Sequence, residues 1–225
     1  MGLFYIKKIC SYFSKILVRA GVFIYAFCIA TSAFANPVLD HVAAGDVAIQ
    51  QTPTTTSINQ SSRQAVINWN SFNIGKQEAT HFQQPAGGIA LNHINPTQGV
   101  SQIYGKLTAT GQIILSNPAG IYFGPSAYVN VGGMIATTAT MTNQDFLQGN
   151  YRFSQSPAYS GSIINEGNIV AADHGLIALV APGVVNKGLI QAKLGHVILS
   201  SGEAFTLNFS GDDLINFSIG AKTSH

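Results

Sequence analysis

The sequence predicts an all-β chain wound as a solenoid, a parallel β-helix, and three observations carry that prediction. The segment Gly111 to Thr138, GQIILSNPAGIYFGPSAYVNVGGMIATT, sets short apolar runs between Gly, Asn and Pro with almost no charge. That is the pattern of brief buried strands separated by tight turns. The stretch after Gly161 repeats itself: Ile164–Ala171 (INEGNIVA) matches Val185–Ala192 (VNKGLIQA) at an offset of 21, and Gly175–Leu179 (GLIAL) matches Gly195–Leu199 (GHVIL) at an offset of 20. Periods near 20 residues with strand-forming content mark solenoids. Finally, no run is long or periodic enough for a helix.

The N-terminus predicts an export signal. Met1 to Arg19 carries Lys7, Lys8, Lys15 and Arg19 and no acid; Ala20 to Ala30 is apolar; Ser32-Ala33-Phe34-Ala35 offers small residues for cleavage before Asn36. Basic region, apolar region and small-residue site in that order form a secretory signal peptide, here residues 1–35, cut between Ala35 and Asn36. The apolar run is about half the ~20 residues a membrane-spanning helix needs, so no transmembrane segment is expected after cleavage. Four of the eleven basic residues and none of the nine acidic ones leave with the signal, so the formal charge changes from +2 to −2. Both cysteines, Cys10 and Cys28, leave as well, and the mature chain must hold together without disulfides.

Residues 36–225 form one domain of about 190 residues. A cap and an irregular part are expected to about residue 105, with regular coils from about 106. Thr52 to Ser62, rich in Thr, Ser, Gln and Asn, reads as a loop. Val66 to Ile74 reads as a strand pair with a phase break near Asn70, and Trp69 as a core or cap residue. Thr140 to Ser160 breaks the rhythm and reads as an excursion with a short hairpin. Within the repeat, alternation sends Ile169 and Ala171 inward, with Ile190 and Ala192 above them, and stacks Ile177 and Leu179 under Val197 and Leu199. Equivalent positions then lie about 4.8 Å apart. Asn165 over Asn186 suits a side-chain amide ladder, and Gly167 over Gly188 suits a turn needing positive φ. An antiparallel sandwich also has many short strands but does not require successive segments to match position for position.

Several function classes lose support. Apparent basicity belongs to the export signal, which removes the argument for nucleic acid. The histidines, His41, His81, His93, His174, His196 and His225, lack metal-ligand spacing, and no metal or other cofactor is expected. Gly132-Gly133 lacks the Lys-Ser/Thr of a phosphate loop. Asp212-Asp213 reads as a solvated turn. Glu166 and Asp173 are the only acids in the repeat, and their matches in the next coil are Lys187 and Leu194 or the adjoining gap. A sugar-cleaving β-helix needs clustered carboxylates, so an enzyme is not expected. Tyr122, Tyr128, Tyr151 and Tyr159 offer stacking faces to an alternative carbohydrate-binding adhesin.

A series of motifs carries a resemblance: Val66-Ile67-Asn68-Trp69, Phe72-Asn73-Ile74-Gly75, Ala90-Leu91-Asn92, Ser101-Gln102-Ile103-Tyr104-Gly105, Asn117-Pro118-Ala119-Gly120-Ile121, Phe123-Gly124, Val129-Asn130-Val131-Gly132-Gly133, Asp145-Phe146-Leu147 and Tyr151-Arg152-Phe153. In that order they resemble the N-terminal secretion domain of two-partner-secretion exoproteins, the family of filamentous haemagglutinins, haemolysins and contact-dependent inhibition toxins, from about Asp40 to Gly220. The resemblance implies a right-handed β-helix with an N-terminal cap and extra-helical β elements. It implies export to the periplasm of a Gram-negative bacterium and capture by the periplasmic domains of an outer-membrane β-barrel transporter. The chain would then pass out unfolded and fold at the cell surface. The family's secretion motif, Asn-Pro-Asn-Gly followed by Ile or Leu, falls on Asn117, Pro118, Ala119, Gly120 and Ile121, with Ala119 where a second Asn is expected. Ala tolerates left-handed geometry poorly, so Ala119 predicts either weaker recognition by the transporter or a lineage that does not depend on that residue. Family members usually continue far beyond this domain, and a chain stopping at His225 is expected to be a truncated haemagglutinin, a stand-alone relic or one fragment of a split gene. The adhesin alternative implies a host-cell surface or glycans as partners.

Overall fold

The computed structural model describes residues 36–202, 204–210 and 214–221. The signal region to Ala35 and the Asp212-Asp213 pair lie outside them.

The chain winds through six coils, and four of them give one strand to each of three sheets. The first coil is β3 (Thr55–Gln60) and β4 (Gln64–Ser71) followed by a single bridging residue, Ile74, paired with Ile103. The second is β5 (Ala79–Gln83), β6 (Ile89–Ile94) and β7 (Ser101–Ile103); the third is β8 (Lys106–Ala109), β9 (Gln112–Ser116) and β10 (Ile121–Phe123). Then come β11 (Tyr128–Val131), β12 (Gly133–Thr137) and β15 (Ser162–Asn165), then β16 (Asn168–Ala171), β17 (Leu176–Val180) and β18 (Gly183–Asn186). The last coil is β19 (Leu189–Ala192) and β20 (His196–Ser200). Stacked neighbours pair in parallel throughout, as in β4–β6–β9–β12–β17–β20. The sandwich is thereby excluded, and the repeat register holds: Ile169 pairs with Ile190, Ala171 with Ala192, Ile177 with Val197 and Leu179 with Leu199.

An antiparallel cap covers the first coil. β1 (Val38–Ala44) lies on β4, and β2 (Val47–Gln51) lies on β3. Parallel stacking therefore begins at Thr55, some fifty residues before the expected onset of regular coils. Thr52–Ser62 is not a loop: its centre is β3, which buries Ile58, Thr56 and Gln60 and turns its other side chains outward. Val66 to Ile74 is one strand followed by a bridge, not a strand pair.

Two cores result. The column's interior is filled from all three sheets, with Trp69, Phe72, Phe82, Phe123, Ile113 and Leu115 among its members. Trp69 and Phe72 meet edge to face at 5.3 Å, and the Trp69 Nε1–H donates to Asn92 Oδ1 at 2.9 Å, so the indole is buried without losing its hydrogen bond. The second core lies outside the column, on the other face of the β4–β20 sheet, where Val66, Leu91, Ile114, Ile135 and Ala178 are covered by Met141, Phe146, Phe153 and Phe205. A sheet buried on both faces needs continuous apolar runs rather than alternation, which explains IIL in β9 and LIALV in β17.

The cover is the excursion between β12 and β15. It holds β13 (Ala139–Thr140), a short helix α1 (Asn143–Leu147) and β14 (Tyr151–Gln155). β14 pairs antiparallel with β13 and with β21 (Ala204–Ser210), which pairs with β22 (Leu214–Ala221). The excursion thus contains a helix that periodicity alone does not predict. Five residues are too few to show a 3.6-residue stripe, and the readable signal is its cap: the Thr142 hydroxyl accepts from Asp145 N–H at 3.0 Å and donates to Asp145 Oδ2 at 2.7 Å.

Candidate functional site

The Asn117–Ile121 turn connects β9 to β10 at a corner of the column. Asn117 is fully buried. Its Oδ1 accepts from Ala119 N–H at 3.0 Å, its Nδ2 donates to Gly99 O at 3.1 Å and to Ser101 Oγ at 3.0 Å, and its backbone oxygen accepts from Gly120 N–H at 2.9 Å. The side chain thus closes its own turn and ties it to the coil below. Pro118 is buried and preorganises the bend. Gly120 sits at φ 118°, a left-handed conformation open to glycine, and a Cβ there would lie 2.8 Å from Ser162 O. From the coil above, Gly161 presses close: a Cβ on it would fall 2.5 Å from both Gly120 N and Pro118 O. Ile121 is buried in the interior core. Ala119 alone of the five is partly exposed, and it does not take positive φ, so the expected strain of Ala in left-handed geometry does not arise.

The predicted ladder residues lie at a different corner. Asn165 Nδ2 donates to Asn186 Oδ1 at 2.8 Å, and Asn165 Oδ1 accepts from Gly167 N–H at 3.1 Å, the same turn closure that Asn117 makes. Gly167 and Gly188 do not have positive φ. They are required by close approach, since a Cβ on Gly188 would fall 2.1 Å from Gly167 O. Asn36 is held at the start of the cap, its Nδ2 donating to Thr52 O at 3.0 Å and Pro53 O at 2.8 Å; Ala35 lies outside the described residues.

The ionisable groups nearby are paired off. The Tyr122 hydroxyl donates to Glu166 Oε2 at 2.5 Å, and Lys187 Nζ reaches Glu166 Oε1 at 3.3 Å. The hydrogen bond to Glu166 pushes the Tyr122 phenol up to about 12, and the same bond, with Lys187, holds the Glu166 carboxyl below its usual range. Asp173 faces Lys193 at 3.3 Å rather than Leu194, because the one-residue slip falls before Asp173, at the turn that follows Ala171. Among the described residues no group of three or more His, Asp or Glu is placed to hold a metal ion, and no helix is long and apolar enough to cross a membrane. Sequence reasoning missed the partners of Asn117, Gly99 and Ser101. The signal for them was the SQIYG motif one coil earlier.

A capped parallel solenoid whose Asn-Pro turn is built into the column is the architecture of a secretion domain. The chain belongs to the TPS secretion domain family, which matches residues 35–222. The motif series and the β-helix both point to that family, and both hold. The chain is 32% identical over 182 residues to a heme/hemopexin-binding protein of Haemophilus influenzae strain Rd, covering 77% of this chain and 20% of that protein. A second heme/hemopexin-binding protein of Haemophilus influenzae is 36% identical over 113 residues, 49% of this chain and 12% of that one. The chain thus spans a fifth or less of these curated relatives. Its fold matches the crystal structure of the HMW1 secretion domain from Haemophilus influenzae with a TM-score of 0.74 and 28% identity, over 84% of this chain and 50% of that one. Such domains belong to secreted exoproteins of Gram-negative bacteria.

Proposed function

We propose that residues 36–225 act as an export passport. The signal peptide takes the chain to the periplasm, the periplasmic domains of an outer-membrane barrel capture it, and stacking of coils at the cell surface follows. The observation that carries this reading is the uninterrupted parallel stack beneath an antiparallel cap. In a solenoid each coil contacts only its neighbours, so folding propagates from one end as the chain emerges. Each new coil also pairs the open edge of the last, which is otherwise an aggregation template. The reading includes no catalytic step and no cofactor. It treats Asn117 as a residue that shapes the coil, leaving Ala119 as the member of the motif that a transporter can touch.

The test is expression of the chain with and without an outer-membrane barrel transporter of a two-partner system. The proposal expects the chain in the medium or on the cell surface only when the barrel is present. Equal export without it overturns the proposal.

A further inference from the structure

A groove of about 490 Å³ opens on the outer face of the sheet that contains β5, β8 and β11, at a different corner of the coil from the Asn117 turn. Its walls come from Thr54, Thr55, Lys76, Lys106, Ser126 and Tyr128. We infer that this groove binds an acidic saccharide, a sugar chain carrying sulfate or phosphate groups.

The register puts the key side chains side by side. Ala79 of β5 pairs with Lys106 of β8, which pairs with Tyr128 of β11, so Lys106 and Tyr128 stand one strand spacing apart, about 4.8 Å. Both point outward, because Leu107 and Val129 beside them are buried in the interior. Tyr128 is 42% exposed, unusually open for an aromatic side chain, and its hydroxyl accepts from Asn130 Nδ2 at 3.5 Å. Lys76 is exposed on the turn that leads into β5. Neither lysine belongs to an ion pair among the described residues, whereas Lys187 and Lys193 do. The only carboxylate in the groove, Glu78, is 7% exposed and its Oε2 accepts from Gly75 N–H at 2.7 Å. The groove therefore offers two outward cations within a mature chain of net negative charge.

The chemistry selects the ligand class. Ammonium groups on flexible stems are point-charge partners for sulfate or phosphate oxygens. An aromatic face beside them suits a sugar ring's C–H surface, and the hydroxyls of Thr54, Thr55 and Ser126 suit its own hydroxyls. The neighbouring lane on the same outer face, Ser57, His81, Thr108 and Asn130 on successive strands, carries only hydroxyl, imidazole and amide groups. It extends the polar track across four coils. Ordinary small-molecule pockets are mostly apolar and enclosed; this one is open, with a lining of mixed polarity, which fits an extended sugar chain.

The test is equilibrium binding of the purified chain to three fluorescent oligosaccharides of equal length, one sulfated, one phosphorylated and one neutral, and to inorganic polyphosphate. Wild type, the double variant Lys76→Gln/Lys106→Gln, and Tyr128→Ala are compared at low and high salt. All three side chains are exposed, so the variants fold and melt as wild type does. The expected result is binding of the sulfated or the phosphorylated saccharide that weakens with salt, falls at least tenfold in the double variant, and falls several-fold in Tyr128→Ala. Polyphosphate binding is unmoved by Tyr128→Ala. Which acidic sugar binds better identifies the source as a sulfated glycan or a phosphorylated one. Equal binding of the neutral sugar, indifference to either variant, or no binding of either acidic sugar overturns the inference.

Discussion

Asn117 shows how a residue without charge or nucleophilicity can govern a site. Its amide is used on both sides, so Asn117→Ala leaves Ala119 N–H and Gly99 O without their partner in a crowded corner. The expected cost is about 1–3 kcal/mol, measured as a lowered midpoint in denaturant. Glycines that sit under a neighbouring coil act through space alone. Gly188→Ala places a methyl against Gly167 O, whereas Gly183→Ala meets the movable Ser162 Oγ at 2.8 Å, so the first variant loses more stability than the second when their melting temperatures are compared. The Tyr122–Glu166–Lys187 contact makes a pH statement. The Glu166 pKa is depressed in the fold, so its contribution is complete above the usual carboxylate value of 4.5 and fades as pH falls through the lowered one. The Tyr122 pKa is raised, so its share is complete below 10 and fades as pH climbs toward about 12. Tyr122→Phe removes the alkaline dependence and leaves, of the acidic one, the part that comes from Lys187; because the pair is exposed the change in a pH series of melting temperatures is small.

At the level of elements, the cover over the outer sheet face is the feature least legible beforehand. The repeat between β15 to β17 and β18 to β20 gave its register away because identical residue types recur at fixed offsets. β3 was hidden by its composition, since only Ile58 among Thr55–Gln60 is apolar and the strand's buried Thr56 and Gln60 look like loop residues. The second core was visible as unbroken apolar runs, but what covers them joins Phe146 and Phe153 of the excursion to Phe205, some fifty residues further on, and no local pattern links them. The positive φ expected at Gly167 and Gly188 failed for a similar reason: the demand comes from the adjacent coil, not from the turn itself. The cover also carries a pH-sensitive contact. His93 Nε2 bonds Asn143 Oδ1 at 3.0 Å, and burial lowers the His93 pKa. A depressed histidine contributes stability above 6.5 that is lost as pH falls through the lowered value. Protection factors over α1 and β14, with the intrinsic pH dependence of amide exchange divided out, should therefore fall in mild acid, and His93→Gln should flatten that response.

Across the whole molecule, the column has one capped end and one end where β18, β19 and β20 have no further partner among the described residues. There Val197 and Leu199 are nearly half exposed, although the residues they pair with, Ile177 and Leu179, are fully buried. Stability is thus graded along the axis, as expected of a structure held by neighbour-to-neighbour contacts, and exchange should be slowest in β6, β9 and β12. The same gradation underlies the export proposal, in which the turn at Asn117 closes a central coil and Ala119 faces outward. The most direct measurement is barrel-dependent export of wild type, Asn117→Ala and Ala119→Asn, scored beside the melting temperature of each purified chain. The account predicts that Asn117→Ala loses export and stability together, while Ala119→Asn alters export at unchanged stability. Export of Asn117→Ala at the wild-type level despite lost stability would contradict it.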